Sequence, residues 1–204
     1  MNFLLVNYTF LYDITNSWYY LIPLYLYASI AIIFLMNKIF LDACSLIYLT
    51  KIQIKRRLPQ LGEVFIGPSV KNEVIAEFEE YPNAQTIREN IEKNIIKELK
   101  KRVEKLPELS NLGIGEMETI ELCLQETGIF VTDDHQALNY AISRGLKPKT
   151  SEVILLDFLT EDIIELQEFK TLFKKLALIK SLKPEIVEFF IQKANEIKKK
   201  EKNE

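Results

Sequence analysis

The sequence predicts a three-layer α/β/α domain with a central parallel sheet, followed by C-terminal helices. Three short apolar runs, near residues 39–41, 64–66 and 129–132, have the length and composition of buried strands. Amphipathic stretches of helical period separate these runs, and such alternation is typical of a parallel sheet covered by helices on both faces. At 204 residues, of which 48% are hydrophobic, the chain is long enough for one such domain with an appendage.

Net charge and cysteine content narrow the classes of function. The formal net charge is −3, so the chain as a whole does not attract nucleic acid, and such a partner would need a local basic patch. Cys44 and Cys123 lie far apart without a C-x-x-C spacing, which excludes a disulfide framework and a cysteine zinc site. We expect both to be small buried core residues in a protein of the reducing cytoplasm.

Residues 1–35 differ in composition from the rest of the chain. Asp13 is their only charged residue, and the segment 14–36 is long and apolar enough to span a bilayer. As a membrane anchor it would leave the following domain in the cytoplasm by the positive-inside rule. Pro23 and the lack of a linker favour the alternative that translation starts at Met36 and that the preceding segment is absent from the native protein. Both alternatives stay open.

Local patterns predict each element of the first half. Ile39–Leu41 and Val64–Ile66 are apolar runs, and each predicts a short buried strand. Apolar residues at helical spacing predict a helix over Ser69–Phe78, with Ser69 as its N-cap. Apolar residues four apart among alternating charges predict a long amphipathic helix over Thr86–Leu106.

The second half repeats the alternation and then becomes helical. Capping residues, glycine and proline positions and apolar spacing define its elements. They are a helix over Gly115–Gln125, a strand over Ile129–Thr132, a helix over Asp134–Ser143, a helix from Ser151 or Glu152, and two helices from Glu165 divided near Pro184. We therefore expect an α/β domain at residues 36–160 and a C-terminal helical extension at residues 161–204.

Acidic residues follow the predicted strands and lie early in the predicted helices. Asp42 follows the first strand, and Asp133 and Asp134 follow the last, so all three are expected at the carboxyl edge of the sheet, where parallel sheets bind ligands. Glu73 lies one turn into a helix and Glu116 in the first turn of another, from which each can reach the same crevice. Carboxylates forced together repel one another unless cations neutralise them, and all-oxygen ligands favour Mg²⁺ or Mn²⁺.

Each acid also has an ordinary interpretation, as a solvated residue or as a charge that complements a helix dipole. For any one of them alone that interpretation is favoured. Glu116 fits it best because it lies in the first turn of a helix. Asp42 fits it least, because it directly follows an apolar strand and precedes an apolar helix.

Four segments, in this order, resemble the PIN domain: FLDACSLIYL, VKNEV, GEMETIEL and IFVTDDHQALNYAISRGL. The likeness is greatest to archaeal and bacterial PIN-like proteins related to VapC-type toxins, and it covers residues 36–180. It implies a PIN-like, Rossmann-like fold whose motif acids are catalytic and bind metal. In this chain those acids are Asp42, Glu73, Glu116 and Asp134, with Asp133 as a possible additional ligand beside Asp134.

The resemblance implies a ribonuclease that hydrolyses phosphodiester bonds with Mg²⁺ or Mn²⁺ held by these acids, leaving 5′-phosphate and 3′-hydroxyl ends. Ser45 and Thr132 become candidates for polar groups that support the acids. A type II toxin role, a small antitoxin partner and a homodimer are compatible with it. Basic residues near helix ends are candidate RNA contacts, namely Lys51, Arg56, Arg57, Arg144 and Lys147.

Other domains with an acid after the first strand fit less well. A haloacid dehalogenase phosphatase needs a second Asp two positions later, where this chain has Cys44. A response-regulator receiver needs a phospho-acceptor Asp and a Lys at later strand ends, which the sequence does not provide. The alternative that stays open is a catalytically silent PIN-fold module that binds RNA or protein, tethered to a membrane if residues 14–36 form an anchor.

Overall fold

A computed structural model of the chain describes residues 37–76, 82–101, 103 and 112–201. The predicted alternatives for residues 1–35, an anchor or a misassigned start, lie outside the described residues. Among the helices within these ranges, none is both long enough and apolar enough to cross a bilayer.

A four-stranded parallel sheet forms the centre of the fold, in the order β3-β2-β1-β4. In the β1 register, Ile39 lies opposite Val64 of β2 on one side and Ile129 of β4 on the other. The three predicted apolar runs therefore form three adjacent strands of the sheet, with β1 between the other two. The strands are β1 (Lys38–Leu41), β2 (Glu63–Ile66), β3 (Lys97–Glu98) and β4 (Ile129–Val131).

Helices connect the strands and complete the chain. Between β1 and β4 they are α1 (Ala43–Lys51), a 3₁₀ helix (Lys55–Gln60), α2 (Pro68–Ala76), α3 (Pro82–Glu92) and α4 (Ile114–Glu126). After β4 they are α5 (His135–Ser143), α6 (Ser151–Thr160), α7 (Leu166–Lys180) and α8 (Pro184–Glu201). Helix α2 begins at Pro68, so Ser69 lies inside it and is not its N-cap.

Successive residues of β1 face opposite sides of the sheet. Ile39 and Leu41 belong to a large apolar cluster on one face, whereas Phe40 belongs to a smaller cluster on the other. Helices α4 and α5 contribute to the smaller cluster, and the other six helices contribute to the larger one. The predicted three-layer α/β/α fold is therefore confirmed.

Helices α7 and α8 share the larger core with the sheet. The rings of Phe169 and Phe173 stack at 5.4 Å between centroids, and Phe190 of α8 lies 5.4 Å from Phe173. Phe169 and Phe173 belong to the same cluster as Leu41. The C-terminal helices are thus fixed to the layer that carries β1.

The predicted long helix over residues 86–106 is wrong. Helix α3 ends at Glu92, and the amides of Ile95 and Ile96 both donate to the Asn90 carbonyl as the chain turns. Asn94 takes a left-handed conformation with φ of 54°, which asparagine tolerates better than most residues. The chain then forms β3 on the edge of the sheet, and Ile96 is buried. Tertiary packing and strand pairing therefore outweigh the helical spacing of the isoleucines.

Candidate metal centre

The carboxyl ends of β1 and β4 define the crevice in which the acids collect. The chain runs outward from β1 to β2 and β3 on one side, and β4 pairs with β1 on the other. Connections that leave in opposite directions open a crevice outside the carboxyl ends of the two strands. The Asp42 amide donates to the Val131 carbonyl at 3.2 Å, so the residues that follow both strands meet there.

Asp42 is a buried carboxylate held by two hydrogen bonds. It caps α1, where its Oδ1 accepts the Ser45 amide at 2.7 Å, and its Oδ2 accepts the Thr132 hydroxyl at 2.6 Å. Only 1% of the residue is exposed. Burial raises the pKa of Asp42 to about 6, although the hydrogen bonds from Thr132 and Ser45 act in the opposite direction. In the described part of the chain, no basic side chain lies within ion-pair distance of it.

The turn after β4 connects Asp42 to Asp134. The Thr132 hydroxyl that donates to Asp42 also accepts the Asp134 amide at 3.1 Å. Asp134 caps α5, and its Oδ1 accepts the amides of Gln136 and Ala137, each at 2.8 Å. Both capping bonds use one carboxylate oxygen. Thr132 therefore supports two of the predicted acids, and Ser45 supports one through its backbone amide.

Asp133 has a different environment from its neighbours. Its Oδ1 accepts the Ser151 amide at 3.0 Å and the Lys180 ammonium at 2.7 Å, and its Oδ2 accepts the Ser151 hydroxyl. Lys180 also contacts Glu152, at 2.5 Å. The charge of Asp133 is thus neutralised by a lysine 47 residues away in the sequence.

Glu73 and Glu116 lie on the adjoining helices α2 and α4. Glu116, in the first turn of α4, accepts the amide of Gly113, the N-cap residue, at 2.5 Å. A Cβ atom built on Gly115 would lie 3.0 Å from Glu73 Oε2. Because position 115 has no side chain, the Glu73 carboxylate lies beside the residue that precedes Glu116.

The electrostatics of Cys44 show that the acids converge. Burial and, to a smaller extent, nearby negative charge together raise the pKa of the Cys44 thiol to about 12. That charge comes from four carboxylates: Asp42, Glu116, Glu73 and Asp133. Acids from four separate parts of the sequence therefore lie near enough to the first turn of α1 to act on the Cys44 thiol.

The two cysteines differ in exposure. Cys123 is buried, as predicted, but Cys44 is exposed, so its prediction as a core residue was wrong. Position 44 lies in the first turn of α1, at the carboxyl edge rather than beneath it. With a raised pKa, its thiol is protonated near neutral pH in the metal-free protein.

The donor set fits a hard divalent cation. Asp42, Glu73, Glu116 and Asp134 supply only carboxylate oxygens, which Mg²⁺ and Mn²⁺ prefer. The N-termini of α1, α4 and α5, which carry three of these acids, offset part of the repulsion between them. Across the described ranges, no three Asp, Glu, His or Cys side chains are close enough together to enclose an ion as they stand.

The predicted RNA contacts lie away from the acids. Helix α1 starts at Ala43, directly after Asp42, and has nine residues, so its last residue, Lys51, lies about 13 Å along the helix from the acidic end. Arg56 and Arg57 follow in the 3₁₀ helix beyond that far end. Arg57 pairs with Glu168 at 2.8 Å. These side chains therefore lie toward the opposite edge of the sheet.

Arg144 and Lys147 follow α5, which likewise starts at the acids and runs away from them. Arg144 pairs with Glu121 at 2.6 Å, and Glu121 raises the pKa of the guanidinium. Lys147 is exposed. The structure thus places the five predicted acids at the carboxyl edge of the sheet, without bringing three of the described ones around one point, and the five predicted basic contacts lie away from that edge.

Sequence patterns did not single out Lys180, Ser151 or Glu152 as neighbours of the acids. A contact between residues 133 and 180 has no local signature, because it depends on how α7 packs against the sheet. A capping signal identified Ser151 or Glu152 as a helix start, but it did not show which side chains the helix start would contact.

Comparison with known families agrees with the fold. The family model DUF3368, described as a PIN domain, matches residues 38–196. No curated protein shows significant similarity to the chain. The match spans both acid-bearing strand ends and helices α1 to α7 in full. The chain therefore belongs to the PIN domain family, whose members are generally nucleases.

Proposed function

We propose that this protein is a ribonuclease that hydrolyses RNA phosphodiester bonds with Mg²⁺ or Mn²⁺. The observation that carries the proposal is Asp42, a buried carboxylate with a raised pKa and no basic partner among the described residues. A buried charge of this kind destabilises the fold, so it is expected where a bound cation completes the site. Membership of a nuclease family supports the same function.

Four acids would hold the ion: Asp42, Glu73, Glu116 and Asp134. The environment of Asp133 favours Asp134 at the last position, because both Asp133 oxygens are already hydrogen-bonded and Lys180 neutralises its charge. Asp134 keeps one oxygen that its two capping bonds do not use. We therefore assign Asp133 a structural role rather than the ligand role that the sequence allowed.

The ion, when bound, supplies Lewis acidity and charge neutralisation at the scissile phosphate. The residues of the chain prepare that position. Thr132 and the Ser45 amide fix the two oxygens of Asp42, so that this carboxylate does not need to reorganise. Without a cation the acidic edge repels phosphate, so we expect RNA to bind at this edge only when divalent ions are present.

Lys51, Arg56 and Lys147 are the predicted RNA contacts that form no ion pair within the described ranges. They would bind phosphates of an RNA that extends beyond the acidic edge. Their substitution should weaken RNA binding and reduce its salt dependence without changing the ligands of the ion.

The test is cleavage of a fluorescently labelled single-stranded RNA of mixed sequence by the full chain, in Mn²⁺, in Mg²⁺ and in EDTA. We expect cleavage with either ion, 5′-phosphate and 3′-hydroxyl products, and none in EDTA. Asp42→Asn should lower the rate on the order of a hundredfold or more, because several kcal/mol of charge stabilisation depend on the ligand set. Glu161→Gln, an exposed acid at the end of α6, is the matched control and should cleave normally.

Cleavage that persists in Asp42→Asn, or wild-type protein that is folded but neither binds Mn²⁺ nor cuts RNA, would contradict the proposal. The second outcome would favour a catalytically silent module that binds RNA or protein. One observation supports that alternative, since Asp42, Glu116 and Asp134 all make the hydrogen bonds of ordinary helix caps. A toxin role, an antitoxin partner and a homodimer remain predictions.

A further inference from the structure

Lys180 forms a buried ion cluster next to the acids. Its ammonium lies 2.7 Å from Asp133 Oδ1 and 2.5 Å from Glu152 Oε1. The exposed fractions of the three side chains are 12%, 1% and 5%. Burial lowers the pKa of Lys180, but Asp133 and Glu152 outweigh that effect, and the net direction is upward. The lysine is therefore charged and serves two acids.

The cluster fixes the turn that carries the predicted site. Asp133 lies between Thr132, which donates to Asp42, and Asp134, which caps α5. Successive side chains of an extended segment point to opposite sides, and Asp134 has extended backbone angles, with φ of −84° and ψ of 125°. Holding Asp133 inward therefore also sets the direction of Asp134.

Lys180 also contacts the helix that Asp42 caps. Its ammonium lies 5.5 Å from the centre of the Tyr48 ring, on α1. A single side chain at the end of α7 thus contacts the turn after β4, the start of α6 and the middle of α1. Two of these segments carry predicted ligands, since Asp134 lies in the turn after β4 and Asp42 caps α1.

We propose that Lys180 is a positioning residue for the metal ligands, acting through Asp133 to orient Asp134 and, through Thr132, Asp42. This inference rests on the proposed function for its link to metal. Buried ion pairs often add little net stability compared with apolar packing, so stability alone does not account for three charged side chains here. Residues that orient ligands typically change metal affinity by about 10- to 100-fold when altered.

The test compares Lys180→Met, Lys180→Arg and the control Lys175→Met in the full chain. Lys175 lies on the same helix but is exposed. Calorimetric titration with Mn²⁺ should show binding about 10- to 100-fold weaker in Lys180→Met, with wild-type affinity in Lys175→Met and substantial recovery in Lys180→Arg. With RNA, the Lys180→Met variant should lose kcat while KM changes little.

A metal-free measurement separates this inference from the proposed function. Amide hydrogen exchange in EDTA should be at least about tenfold faster in Lys180→Met at Ser45, Gln136 and Ala137, whose amides are held by Asp42 and Asp134. Amides of the 3₁₀ helix should exchange as in wild type. If wild-type protein takes up no Mn²⁺ and cuts no RNA, the nuclease proposal fails, and exchange still decides whether Lys180 positions the acids.

Unchanged exchange at the three amides, or wild-type Mn²⁺ affinity in a folded Lys180→Met, overturns the positioning role. If Lys180→Met does not fold, the double variant Lys180→Met with Glu152→Gln can be used instead. It removes one positive and one negative charge, so fewer buried acids are left without a cation. The same shifts are expected from it, because Asp133 still loses its cation.

Discussion

Asp42 and Asp133 are both carboxylates that follow strands at the same edge of the sheet, and both are almost fully buried. Asp133 is paired with Lys180 and hydrogen-bonded by Ser151. Asp42 receives only a hydroxyl and an amide, and its pKa rises to about 6. Two aspartates with buried carboxylates at the same edge of the sheet thus differ in whether the described chain itself supplies the cation.

The difference assigns them different roles. A buried acid that is paired with a lysine of the same chain can act as a fixed point of the fold. A buried acid without one is incomplete, and a perturbed pKa of this origin is typical of functional sites. Removing the charge partner from Asp133 and removing the charge from Asp42 should therefore change stability in opposite directions.

The largest expected effect follows from removing the base. Lys180→Met leaves Asp133 and Glu152 buried without a cation, and breaking a buried pair in this way costs about 3–5 kcal/mol. Urea unfolding near neutral pH would measure the loss. The exposed control Lys175→Met should stay within about 0.5 kcal/mol of wild type. A loss in Lys180→Met of that same small size would show that the two acids differ less than their contacts indicate.

Removing the charge of Asp42 should stabilise the protein. Its folded-state pKa is raised from 3.8 to about 6, so the stability tied to it is fully present at low pH and is lost as pH rises from about 4 to about 6. At about 1.4 kcal/mol per pKa unit, the cost at neutral pH is about 2–3 kcal/mol. Asp42→Asn keeps the shape and should recover this amount in EDTA.

Urea unfolding of both proteins across this pH range gives the comparison. The advantage of Asp42→Asn should disappear toward acidic pH, and added Mn²⁺ should stabilise wild type more than the variant. An advantage that does not depend on pH would mean that the carboxylate is not the source. An Asp42→Asn variant less stable than wild type in EDTA would contradict the incomplete-site interpretation directly.

Local pattern predicted the positions of the acids in the fold, because each follows a strand or lies on a predicted helix, while their role as metal ligands stays a prediction. Asp42 and Asp134 lie at the ends of short apolar runs whose identity as strands the sequence makes clear, and the structure adds that each caps the next helix. The fold class followed from the same alternation. Information of this kind is local, since it spans fewer than about ten residues.

Non-local packing could not be predicted. The choice between Asp133 and Asp134 depends on Lys180, which is far along the chain. Strand β3 has only two residues, and its pairing with β2, not its own composition, makes it a strand. The helix predicted over residues 86–106 failed for the same reason.

The reactivity of the Cys44 thiol depends on burial and on the acids near it. It is exposed, yet its thiol pKa is about 12, so the thiolate is scarce near neutral pH. A thiolate of higher pKa is also a stronger nucleophile, and on a logarithmic scale this offsets about half of the loss in thiolate concentration. Alkylation by iodoacetamide should therefore be roughly thirtyfold slower than for an ordinary thiol. Mass spectrometry can separate Cys44 from Cys123, which is buried. Asp42→Asn should speed alkylation, and a rate equal to that of a small reference thiol would argue against four nearby carboxylates.

The smallest expected effect concerns the hydrogen bond from Thr132, after β4, to Asp42, after β1. Thr132→Val keeps the shape but removes the hydroxyl that donates to Asp42 and accepts the Asp134 amide. Because this hydrogen bond lowers the pKa of Asp42, its loss should raise that pKa further and reduce stability at neutral pH by about 1–3 kcal/mol.

In the Asp42→Asn background residue 42 has no charge for the hydroxyl to stabilise, so Thr132→Val should cost about 1 kcal/mol less there. A double-mutant cycle by urea unfolding measures this difference. A coupling indistinguishable from zero would mean that Thr132 supports the fold of the turn but not the charge of Asp42.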